Sequence, residues 1–243
     1  MKSYRIKQLF KLSIIKTLYF NFRLLPMRQA IKLPIFIYRK VEIGKTGGKI
    51  IFEVPPRTGL VQFGFIGRDF VGNHCRGQVY IDGTMQIAGK VDFGIGSQIR
   101  VYKGGKVSIG NNVKILALTK LLCENNIEIG NNVRITHECQ IMDSNFHYIE
   151  DIESKRVECC NGIIHIGNDN WVANRSTIQK GTVTPDFCII GAGSILNKDY
   201  SKVCPSFSLI AGTPAKLIKT GVRRIFDFDE ETKWDKFYGR IGH

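Results

Sequence analysis

The chain has 243 residues, 43% of them hydrophobic, enough to bury a substantial core in one or two domains. Its formal charge of +14 is uneven: residues 1–50 hold 12 Lys and Arg against one acid, Glu42, a net of +11, so the remainder carries only +3. Such local basicity, without a zinc-finger or RRM pattern, argues against a nucleic-acid partner; seven cysteines, odd in number and with no C-x-x-C pair, argue against a disulfide or zinc framework and for a reducing cytoplasm.

The first element is the basic arm, residues 1–50. Its start, "MKSYRIKQLFKLSIIKTLYFNF", has the charge of a signal peptide, but Lys11 and Lys16 interrupt the apolar core and no small-residue cleavage site follows. No stretch reaches the roughly 18 apolar residues of a membrane span, so the expectation is a chain that is neither exported nor membrane-spanning. Residues 3–33 interleave Arg5, Lys7, Lys11, Lys16, Arg23, Arg28 and Lys32 with Tyr4, Phe10, Tyr19, Phe20 and Phe22. As a helix the segment is imperfectly amphipathic, because Lys7 and Lys11 fall beside Leu18. Two roles stay open: peripheral contact with an anionic membrane, or a cap on the open end of the repeat that follows. The reading leans to a cap with some membrane contact.

The repeat sets the fold class. "IGNNVKI" (109–115), "IGNNVRI" (129–135) and "IGNDNWV" (166–172) are near copies, and from Ile166 an aliphatic residue recurs every six places at Val172, Ile178, Ile190 and Leu196, with Thr184 as the one break. Four places after each stands a small residue: Asn170, Ser176, Thr182, Cys188 or Ser194. A period of six is neither the strand's 2 nor the helix's 3.6. It fits one short flat strand and a turn per unit, three units closing a triangular coil of about 18 residues that stacks on the next coil about 4.8 Å away. Ile95, Val101, Val107 and Val113 keep the step; before about residue 78 no register is clear. The expected class is all-β, a parallel β-helix over 51–218 with short helical segments at both ends, the last in the tail 219–243.

The register breaks at one place. Ile129, Ile135 and Ile141 call for an aliphatic residue at 147, and the chain supplies His147; the next in-register residue is Ile166, so 148–165 form an excursion. Loops thrown from rigid scaffolds commonly carry function. A solvated corner histidine is the ordinary alternative, but its position at the break, with Asp143 four residues before, favours a functional one.

From here the chain resembles the hexapeptide-repeat, left-handed β-helix O-acetyltransferases of the galactoside/maltose and surface-polysaccharide type. The resemblance covers roughly residues 80–220 and is carried by "IGNDNWVANRSTIQKGTVTPDFCIIGAGSILNKDY" and the closing "LIAGTPAKLIK". It implies that His147, in "DSNFH", is the general base. Relatives acting on sugars often place an acid two residues before this histidine, where this chain has Asn145. The resemblance further implies acetyl-coenzyme A as donor and a sugar or lipid-linked glycan as acceptor. It also implies a homotrimer with sites between subunits; the expected location, from cysteine usage, is the cytoplasm, with a peripheral place on the inner face of the membrane left open by residues 3–33.

For the donor, the resemblance puts Trp171 beside the pantetheine arm, Asn174 and Ala192 at backbone contacts, and Asn197, Lys198, Lys216 and Lys219 at the nucleotide end. Lysines suit phosphate as point charges, though any one alone reads as solvated surface, and Trp171 alone as a packing aromatic. A neutral imidazole suits removal of a hydroxyl proton and typically contributes roughly 10² to 10⁴ in rate. Asp143 either orients that imidazole, binds a sugar hydroxyl or is a turn residue bonded to its own backbone. No metal is expected: His137, His147 and His165 lack the spacing of the zinc carbonic anhydrases that share this architecture. A non-catalytic glycan-binding scaffold is the alternative from another class, and a metal-dependent lyase of the carbonic anhydrase type is a third.

Overall fold

Short strands lined by aliphatic residues can satisfy their backbone groups by pairing with the next turn of the same chain. In the computed structural model, which describes residues 11–65 and 75–240, the chain winds into a parallel β-helix whose three faces are sheets of nine, seven and six strands. The first ten residues of the basic arm, and His74 and His243, lie outside the described residues. Each coil visits the faces in one order: Val113–Ile115 on the first, Lys120–Cys123 on the second, Asn126–Ile129 on the third, then Arg134–Ile135 on the first again. This is the expected all-β, left-handed β-helix with short helices at its ends.

The interior is the aliphatic ladder read from the repeat. Ile109, Ile115, Leu121, Ile129, Ile135, Ile141, Ile166, Val172, Ile178, Ile190 and Leu196 are all buried. From Ile166 on, partners lie 18 residues apart, as Val172 with Ile190 and Ile178 with Leu196. Earlier coils are longer: Ile115 pairs with Ile135 and Ile99 with Leu121. Their third-face strands send two residues inward each, such as Ile127 and Ile129. Corners are turned by single residues in the left-handed region, Asn112, Leu118, Asn132, Glu138, Asp169, Arg175 and Phe187, a place that Gly181 and Gly193 take in the later coils.

The coil begins before its repeat is legible. Ile35–Ile37, Val41–Ile43 and Lys49–Phe52 already pair with the strands one coil on, so residues 35–50 are β-helix rather than arm. The cap proper is helix α1 (Ile14–Leu24) with the single turn α2 (Met27–Ala30). Phe20 packs edge-on against Phe63, 5.9 Å between ring centres, and Phe63 stacks on Phe93 at 4.5 Å. Side chains of α1 complete the edge strand: Asn21 accepts from Ile35 N at 3.1 Å and donates to Ile35 O at 2.6 Å, while Thr17 Oγ1 accepts from Ile37 N at 3.0 Å. An edge so covered cannot template another strand. At the far end Ser208–Gly212 and Ala215–Thr220 form an antiparallel hairpin on the first face, and α3 (Phe228–Phe237) follows, N-capped by Asp227.

Candidate active site

Strand Gln140–Met142 should lead into the third face, but the chain leaves the coil at Asp143. The Asp143 carboxylate is buried and its oxygens are committed: Oδ1 accepts from Glu124 N at 2.8 Å, Oδ2 from Asn125 N at 2.8 Å and from the Cys123 thiol at 3.3 Å. These bonds tie the departing chain to the corner of the preceding coil. Beside it, Ser144 Oγ donates to Glu124 Oε2 at 2.5 Å and accepts from Phe146 N at 2.9 Å.

The excursion is closed at its neck. Asn145 N donates to Cys160 O at 2.8 Å, Gly162 N donates to Asp143 O at 2.8 Å, and Ser144 bridges Asn161. Above the neck Ile149–Glu150 and Val157–Glu158 pair as an antiparallel hairpin, and Lys180 Nζ pins Cys159 O to the next coil at 2.7 Å. The excursion therefore spans 144–161 rather than 148–165, and Ile163–Ile166 is coil again. The inward slot counted to His147 is filled by Ile166, which pairs with Ile129 and Thr184. His147 is exposed at the base of the hairpin with no hydrogen bond among the described residues, directly after Phe146, whose left-handed backbone (φ 61°) turns its ring edge-on to Tyr102. Asn145 is exposed beside it. The Asp143 carboxylate bonds backbone N–H groups of the preceding coil rather than its own turn, and among the described residues no hydrogen bond joins it to the imidazole.

The remaining residues fall into two groups. Asn197 and Lys198 occupy the corner between second and third faces, two coils beyond the one the excursion leaves; Lys198 Nζ lies 5.5 Å from the centre of the Tyr200 ring. Trp171 faces outward on the first face, in one register column with Ile189, Leu209 and Lys219; three strand spacings, about 14 Å, separate Trp171 from Lys219. Asn174 and Ala192 stack at the corner between first and second faces, where Asn174 O accepts from Gly193 N. Lys216 and Lys219 are exposed on the final strand. Within one chain the second face separates this group from His147.

The first face also carries groups that no sequence signal announced. Asp92, Lys114, Arg134 and Trp171 succeed one another in register. Burial raises the Asp92 carboxyl above the usual range, against the pull of Lys90 and Lys114. Burial and then the neighbouring Arg134 lower the Lys114 ammonium. The tail folds over this column: the Arg224 guanidinium lies 4.7 Å from the Trp171 ring centre and 5.0 Å from that of Phe226, a pair of cation–π contacts. Trp171, Arg223, Arg224, Glu231, Trp234 and Tyr238 line a cleft of about 640 Å³. The buried Trp171 Nε1 has no acceptor among the described residues.

Among the described residues neither His137 nor His165 joins His147. His165 lies on the third face with Nδ1 3.1 Å from Glu128 Oε2, and bonds from Asn126 and His165 hold the Glu128 carboxyl below its usual range. His137 sits at the corner between first and second faces, its carbonyl accepting from Arg175 N. Among the described residues no three metal-ligating side chains cluster.

No family model matches the chain. Individual proteins do. It is 23% identical over 164 residues to a putative lipopolysaccharide-biosynthesis O-acetyltransferase of Escherichia coli strain K12, over 64% of this chain and 78% of that one. It is 35% identical over 130 residues to a polysialic acid O-acetyltransferase of Escherichia coli O1:K1, over 53% of this chain and 41% of that one. A putative acetyltransferase of Staphylococcus aureus strain COL is 30% identical over 118 residues, 39% of this chain and 55% of that one. The chain thus spans about half the length of the latter two. Among solved structures, a polysialic-acid-specific acetyltransferase superposes with a TM-score of 0.51 at 23% identity, over 84% of this chain and 92% of that one. A polysialic acid O-acetyltransferase gives 0.50 at 18%, over 82% and 96%. These two likenesses are of fold. The chain is thus similar in sequence to proteins named as acetyltransferases and in fold to two of them.

Proposed function

We propose that the protein moves an acetyl group from acetyl-coenzyme A to a hydroxyl of a sugar or lipid-linked glycan in bacterial surface-polysaccharide assembly, with His147 as general base. One observation carries the reading: an exposed histidine at the base of a hairpin thrown from an otherwise regular coil, its neck fixed by the buried Asp143. The names of the relatives, acetyltransferases of lipopolysaccharide biosynthesis and polysialic acid, support the substrate class.

In this reading a ring nitrogen of His147 takes the acceptor's hydroxyl proton as its oxygen attacks the thioester carbonyl. The C–S bond then breaks and the imidazolium returns the proton to the departing thiolate, so no acyl-enzyme forms. Asp143 keeps the neck rigid so that the imidazole is held near the attacking oxygen. Asn145 bonds the acceptor.

Trp171, Asn174 and Ala192 hold the pantetheine arm, and Asn197, Lys198, Lys216 and Lys219 the phosphates. His147 follows the second-face strand Gln140–Met142, and Trp171 lies on the first face of the same chain; the proposed enzyme is a cytoplasmic homotrimer in which one subunit's excursion meets its neighbour's first face. Donor binding then requires Arg224 to leave the Trp171 ring.

The test is thiol release from acetyl-coenzyme A with a panel of sugars and glycan fragments, alongside coenzyme A binding by thermal shift. Acceptor-dependent release supports transfer; binding without release from any acceptor leaves the glycan-binding scaffold in its place.

A further inference from the structure

Helix α1 has a buried side and an exposed apolar side. Thr17, Phe20, Asn21 and Leu24, spaced i, i+3, i+4, i+7, turn to the coil and are buried. Opposite them, Ile14, Ile15, Leu18, Tyr19 and Phe22, spaced i, i+1, i+4, i+5, i+8, are exposed to 70, 81, 42, 52 and 44%. Met27 and Ile31, at 67 and 63%, extend the stripe past α2. Seven large apolar side chains within 18 residues are far from the scattered singles normal for a soluble surface. The cap needs only the first side.

Charge says what the second side meets. Arg23, Arg28, Lys32, Arg39 and Lys40 are exposed around the stripe, and none forms an ion pair with a described residue. The one acid of residues 11–50, Glu42, is taken by Arg76 at 3.4 Å. An 11-residue helix is about 16 Å long, half of what a span requires. Apolar residues rimmed by unpaired cations on a short helix are the pattern of one lying in the plane of a bilayer, side chains among the acyl chains and cations at the headgroups. A second copy of this face would set cation against cation with no acid to offset them.

We propose that the outer face of the α1–α2 cap docks the protein on an anionic phospholipid surface. The inference does not depend on the acyl-transfer reading.

The experiment is co-sedimentation of the full chain with vesicles of phosphatidylcholine alone or with about 30% phosphatidylglycerol, at low and high salt. Binding is expected to be at least about ten-fold tighter on the anionic vesicles and to fall at high salt. The double variants Ile15→Asp/Leu18→Asp and Arg28→Glu/Lys32→Glu should each weaken it by about ten-fold or more. Their melting temperatures should stay within about 2 °C of wild type, since these side chains are exposed and outside the buried core; Ile15→Ser/Leu18→Ser is the milder form should the first fail to fold. Equal affinity for both vesicle types, no binding, or undiminished binding by either double variant overturns the proposal. So does a fall in oligomer size on the apolar substitution without vesicle binding by the wild type, which would make the face a contact between chains.

Discussion

Replacing Asp143 by Ala would strip the excursion corner of its anchor and leave the Glu124 and Asn125 amides without their acceptor. A buried donor left unpaired costs about 1–3 kcal/mol, so two cost roughly 2–6. Both residues are half-buried, and water reaching the corner would keep the loss toward the lower half of that range. For a chain of this size each kcal/mol moves the melting temperature by about 2–4 °C, giving a drop on the order of 5–15 °C. Differential scanning calorimetry of the variant reads it, and Asp143→Asn, which keeps one acceptor oxygen, should fall between variant and wild type. Activity should decline with the loosened neck. A melting temperature within about 2 °C of wild type would refute the anchoring role; full stability with lost activity would return Asp143 to the chemistry.

Asp92 tests the electrostatics of the first face. Its folded-state pKa is raised by burial, so its charge costs stability above that range and the cost vanishes on acidification. Asp92→Asn should melt higher than wild type at pH 7, with the gap closing as pH falls toward 4, which a pH series of melts would check. Thiol mapping tests the interior: burial pushes Cys139 up to about 11 and Cys188 up to about 12, and raises Cys123 as well. Native iodoacetamide treatment followed by peptide mass mapping should alkylate the exposed Cys159 and spare these three; rapid labelling of Cys139 would mean a coil that opens.

The interior was legible because burial imposes a period on it. Every aliphatic residue of the 166–196 ladder points inward, and the small residues four places on, such as Ser176 and Ser194, are buried at the corners. Toward the N-terminus the same core hides from a count of six, because coils there are longer and Ile35–Ile37 has a helix, not a strand, along its outer edge. Counting to His147 found the break but misplaced its start: the neck is closed by Asp143 and Ser144, through backbone bonds that no side-chain pattern encodes. Arg224 on Trp171 joins residues remote in sequence, and the Asp92–Lys114–Arg134 column exists only once strands are in register. Outward-facing chemistry was therefore the least readable part, and the outward stripe of α1 belongs with it.

The central claim is that His147 removes the acceptor's proton. The direct measurement is acceptor-dependent thiol release by wild type and His147→Ala, with melting temperature as control. The side chain is exposed and has no hydrogen bond among the described residues, so the fold should be unaffected, while the rate should fall by roughly 10² or more. A fully active His147→Ala enzyme would contradict it.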